Sequence, residues 1–132
     1  MSALDPSVTR PRPKHLNLVK IKQPLPAIVS ILHRVSGAAM FLFGIPLLLV
    51  LTNASLASPE TYASLKEILG SPLGKLILLG FVWAYLHHFC AGIRFLLLDL
   101  HWGVGLQAAR QSSRAVLIVS LALTVILGVR LW

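Results

Sequence analysis

Two clusters of polar side chains interrupt the apolar runs of this 132-residue chain: Ser30, His33 and Arg34, and then His87, His88 and Arg94. A hydroxyl, imidazoles and fixed guanidinium cations suit a ligand that bears oxygen, and neutral imidazole is also a good ligand for iron. Ionisable groups inside a membrane are costly, on the order of 2.5–3.5 kcal/mol for Arg on insertion scales. They persist where they have a partner or a task, so these positions are the first candidates for function.

Helical spacing sorts the second cluster. At about 100° per residue, Gly92 lies about 40° from His88, Phe95 about 20° to the other side, and Asp99 within about 20°. His88 on that stripe is a candidate axial ligand for haem, with Gly92 leaving room for a flat macrocycle and Phe95 packing at its edge. The alternative is a buried histidine bonded to another helix, with Gly92 serving helix packing. His87 points about 100° away, on the side shared with Arg94. It is a competing ligand or a histidine hydrogen-bonded to a neighbouring helix. In the first cluster Ser30 and Arg34 are i,i+4 neighbours on one face, with His33 adjoining. The alternative for Arg34 and Arg94 is snorkelling of the guanidinium to the interface.

The elements that must carry these residues are three long apolar segments, about 28–52, 73–98 and 114–132, each near or above the ~20 residues of a spanning helix. Residues 1–26 form a basic, proline-broken tail without the apolar run of a secretory signal, and residues 27–132 form a three-helix transmembrane domain. Pro24 and Pro26 suit a helix start, Ser71-Pro72 reads as a cap and first helical residue, and Ser112 and Ser113 are candidate caps for the third helix. Gly44 and Pro46 predict a kink in the first. Asn53–Ser71 and Gly103–Ser113 read as loops.

Composition agrees. The chain is 56% hydrophobic and 12% charged, against about 45–50% and 25% for soluble domains. A single cysteine, Cys90, excludes an internal disulfide and an all-cysteine metal site within the chain. The net charge is +8, but Arg10, Arg12, Lys14, Lys20 and Lys22 lie in the tail, where they act as a topology signal rather than as a nucleic-acid surface. The positive-inside rule puts the N-terminus and the second loop in the cytoplasm and the first loop and C-terminus outside, with Trp102 and Trp132 near helix ends as interfacial anchors. Arg34 then lies roughly 9 Å, and His88 about 16 Å, from the cytoplasmic end of its helix. Three helices shield intramembrane polar groups poorly, so a partner chain is expected.

The motifs Arg12-Pro13 with His15-Leu16, Ser30-Ile31-Leu32-His33-Arg34-Val35-Ser36-Gly37, and His88-x-x-x-Gly92-Ile93-Arg94 followed by Asp99 resemble the large cytochrome b anchor subunits of bacterial succinate dehydrogenase over essentially the whole chain. The resemblance implies an all-α inner-membrane protein that packs with a small partner anchor around a b-type haem. It further implies a flavoprotein with FAD, an iron–sulfur subunit with its Fe–S clusters, and ubiquinone as substrate. On it, His88 matches the axial ligand, and Ser30, Ile31 and Arg34 the quinone site. His33, Arg34 and Arg94 would lie toward the haem propionates, and Asp99 would serve proton supply or subunit contact. Phe95 departs from the histidine common in the family motif, which shifts propionate contacts to other groups. Two rivals stay open: a transporter or channel subunit with a proton path through His87, His88, Arg94 and Asp99, and a haem-free structural anchor.

Overall fold

The computed structural model describes Asn17 and residues 20–131; the tail residues Arg12, Pro13, His15 and Leu16, and Trp132, lie outside the described residues. Helix α1 (Leu25–Ala39) starts from Pro24, held extended, with Pro26 in its first turn. A π-helical segment (Met40–Gly44) follows, then α2 (Ile45–Ala57). The three run on as one 33-residue apolar span. Pro46 lacks an N–H and its ring crowds the carbonyl four residues back. The disturbance expected there takes the form of a π turn ending two residues before the proline.

Most of Asn53–Ser71 is helical, which corrects the loop expected there. Residues 53–57 finish α2, and α3 spans Pro59–Gly70. Ser58 accepts from Thr61 N at 3.2 Å while Thr61 Oγ1 accepts from Ser58 N at 3.0 Å, a reciprocal cap that starts the helix with Pro59 at its first position. Helix α4 (Pro72–Asp99) begins as the Ser71-Pro72 pair predicts, with Ser71 Oγ accepting from Gly74 N at 3.1 Å.

Helix α5 (Leu106–Leu131) starts about two turns before the position expected from Ser112 and Ser113. Those serines lie inside the helix and donate back to the Ala109 carbonyl at 3.2 and 2.7 Å, so they do not cap it. Twenty-six residues span about 39 Å, more than the ~30 Å apolar core of a bilayer, so the polar first turns reach beyond it. A Schellman turn joins α4 to α5. Trp102 N donates to Leu97 O and His101 N to Leu98 O, both at 2.9 Å, with His101 at φ 62° in the position glycine usually takes.

Helix α4 is central, packed on α1 and α5, which also meet each other; α3 folds back on α2 and α4. The core is small: Val29, Ala91 and Val116. Small residues on α5, among them Ser113, Ser120, Thr124 and Gly128, are buried and let the backbones approach; a Cβ on Gly128 would lie 3.1 Å from Leu79. Large apolar side chains such as Phe41, Phe43 and Val129 face outward, as expected where lipid or other chains cover the helices. Three helices are long and apolar enough to cross a membrane, and no strand occurs among the described residues.

Candidate functional site

Helices α1 and α4 bring His33 and His88 together. Their rings stack with centroids 4.0 Å apart and planes 11° from parallel, and Phe95 lies 5.1 Å from the His33 ring. A Cβ on Gly92 would stand 3.7 Å from His33 Nε2. The room that Gly92 leaves on the His88 stripe is therefore occupied by an imidazole from α1.

His88 is half-buried and its Nδ1 lies 2.9 Å from the His33 carbonyl. A carbonyl oxygen only accepts, so Nδ1 carries the proton, and in the neutral ring Nε2 keeps its lone pair. Ser36, buried, donates to the same carbonyl at 3.0 Å and places its oxygen 3.2 Å from Nδ1. No hydrogen bond engages Nε2 among the described residues. An imidazole oriented through Nδ1 with a free Nε2 is what an axial haem ligand requires, so these residues fit the group.

Gly37 makes this arrangement possible. A Cβ there would fall 2.7 Å from His88 Cε1, closer than any side chain tolerates. Ser36 and Gly37 are thus positions beside the His88 ring that spacing alone missed. Their signal was present, since both lie one turn after His33 on the α1 surface.

The other predicted residues separate. Ser30 is half-buried, while Ile31 and Arg34 are exposed on α1; no hydrogen bond or ion pair engages the Ser30 or Arg34 side chain among the described residues. Because α1 starts at Leu25, Arg34 is about 14 Å from the helix start rather than 9 Å, near the depth of the His33–His88 pair. Asp99 is exposed at the last residue of α4.

Arg94 does not join the His88 face. It is buried, on the side of α4 that also holds His87 and Ala91, and its Nε donates to Ser112 Oγ on α5 at 3.0 Å. Its guanidinium lies 5.4 Å from the Phe95 ring. That bond uses Nε alone and ties the side chain to α5 rather than to the His88 stripe. His87 is fully buried beside Trp83 (ring centroids 5.4 Å apart), and neither of its ring nitrogens has a hydrogen-bond partner among the described residues. It faces the inside of the bundle.

Comparison with known proteins agrees with the fold. Residues 8–127 match the family described as the succinate dehydrogenase/fumarate reductase transmembrane subunit. The chain is 36% identical over 117 residues to the succinate dehydrogenase cytochrome b556 subunit of Paracoccus denitrificans, covering 89% of this chain and 88% of that one. It is 37% identical over 122 residues to the subunit of the same name from Coxiella burnetii, covering 92% and 97%. With the match extending over nearly all of three spanning helices, the chain belongs to the succinate dehydrogenase/fumarate reductase transmembrane subunit family and is a multi-pass membrane protein.

Proposed function

We propose that this chain is a membrane-anchor subunit of a succinate:quinone oxidoreductase, holding a b-type haem together with a smaller anchor subunit and supplying one wall of the quinone-reduction site. The observation that carries this reading is the His33 carbonyl on His88 Nδ1, which leaves Nε2 for a metal. When bound, the haem supplies one-electron redox chemistry at a potential set by its axial ligands and surroundings.

His88 would ligate through Nε2, its ring orientation held by His33 and Ser36. The second axial ligand would come from the partner subunit. His33, stacked on His88, and Arg34 beside it are the polar groups nearest to that face. Ser30 would donate to a quinone carbonyl, Ile31 would pack on the ring, and Arg34 would stabilise negative charge developing on a quinone oxygen or order a water. The exposure of Ile31 and Arg34 in the lone chain supports a pocket closed by other subunits.

Succinate oxidation would take place in a flavoprotein subunit carrying FAD. An iron–sulfur subunit would bring two electrons to ubiquinone, and two protons would arrive from the cytoplasmic side. The complex would sit in a bacterial inner membrane, N-terminus cytoplasmic and C-terminus periplasmic. Asp99, at a helix C-terminus where an acidic side chain opposes the helix dipole, does not favour the helix and would serve proton supply or subunit contact. The channel reading loses support because His87 and Arg94 face the bundle interior whereas His88 lies on the α1 side, so they form no single path.

The test is Arg34→Leu in the intact complex. Quinone reduction falls at least about a hundredfold, as when a group stabilising developing charge is removed, while succinate oxidation with an artificial acceptor continues. Equal loss of both activities would overturn the local quinone role.

A further inference from the structure

Away from the haem face, α4, α5 and the turn between them line an open cavity of about 460 Å³, and Arg94 lies in its wall. Arg94 is only 6% exposed, yet its one hydrogen bond runs from Nε to Ser112, and no acidic side chain pairs with it among the described residues. The two terminal nitrogens of this guanidinium have no hydrogen-bond partner among the described residues, and they are not sealed from the cavity, so a ligand there can reach them. Gln111 and Ser112 add polar groups to the same wall, and Ile93, Leu97 and Ala115 make the rest apolar.

We infer that this cavity binds the phosphate of an anionic membrane phospholipid, the guanidinium taking the phosphate oxygens and the apolar wall taking the head of an acyl chain. Guanidinium and phosphate match in fork geometry and charge. Basic pockets between spanning helices are a recurring means of holding anionic lipid headgroups. No carboxylate lines the cavity to receive the ammonium of a zwitterionic lipid, and Arg110 and Arg114 are exposed on the same end of α5. Trp102, 68% exposed, stands at the rim, where an interfacial side chain belongs. Leu97 lies about 180° and Ile93 about 140° around α4 from His88, so this face is turned away from the chain that would share the haem. Lipid is the occupant that side of the helix meets.

The intact complex is reconstituted in nanodiscs of equal phosphatidylcholine and phosphatidylglycerol, and the lipids that stay bound are counted by native mass spectrometry. The wild type retains phosphatidylglycerol over phosphatidylcholine. Arg94→Gln retains about tenfold less, the ratio expected for losing a charge-assisted pair of hydrogen bonds. Arg94→Lys keeps part of the preference, and Ala115→Leu, which fills the cavity without touching the charge, also loses the lipid. Equal retention in all four overturns the site, and so does release of phosphatidylglycerol by inorganic phosphate alone. If Arg94→Gln sheds a partner subunit while Ala115→Leu holds its phosphatidylglycerol, the charge belongs to a protein partner and the lipid assignment is wrong.

Discussion

His87 and His88 are adjacent in the chain, and their surroundings are opposite. His88 is half-buried, stacked on His33, with Nδ1 between a carbonyl and a serine hydroxyl. His87 is fully buried beside Trp83, with both nitrogens unpartnered among the described residues. One residue is a rotation of about 100° on a helix, enough to move a side chain from the surface between α1 and α4 into the interior. A ligand shared between two chains needs an imidazole that is oriented from behind and open in front. Of the two, only His88 is held through Nδ1 with no hydrogen bond on Nε2 among the described residues.

Replacing each histidine tests that contrast most directly. In the purified complex, His88→Ala abolishes the low-spin b-type signal in the reduced-minus-oxidised spectrum, whereas His87→Leu leaves it in place; the reverse result breaks the assignment. Gly37→Ala ranks next. The new methyl meets the His88 ring, so about 1–3 kcal/mol of stability is lost through overpacking, and the haem band shifts or weakens. Thermal unfolding and the same spectrum check both parts.

A subtler consequence concerns His87 itself. Removing a buried polar group that makes no hydrogen bond is close to neutral or stabilising, by up to about 1–3 kcal/mol. The melting temperature of the His87→Leu complex should therefore hold or rise; a fall of several degrees would reveal a partner for that ring. Smallest is His101→Gly, in the turn just past the end of α4 and away from both rings. Its left-handed backbone favours glycine, so the variant gains about 1 kcal/mol in the melt and leaves the spectrum unchanged.

Much of the candidate site was legible beforehand, and the reason is local. Helical angle alone put His88, Gly92 and Phe95 on one stripe and His87 with Arg94 on another, and both groupings hold in the fold. Ser71-Pro72 announced the start of α4 because a cap and a proline act within one turn. Helix α3 was missed because a polar stretch was read as a loop, although Ser58-Pro59 with Thr61 carried the start signal. The onset of α5 was misplaced because Ser112 and Ser113 suggest caps, while in the helix their hydroxyls are satisfied by the Ala109 carbonyl.

By itself, then, the amino-acid order determined that there are three spans, roughly where they lie, and which side chains share a helical face. Those properties follow from apolar run length, capping and the fixed rotation per residue, all of which act over a few neighbours. Only the packed bundle decided that His33 lends its carbonyl to His88, that Gly37 clears the space beside that ring, and that Arg94 turns to Ser112. These depend on which faces of α1, α4 and α5 meet. Residues 52 and 55 apart have no local rule to bring them together, and close packing between helices supplies it.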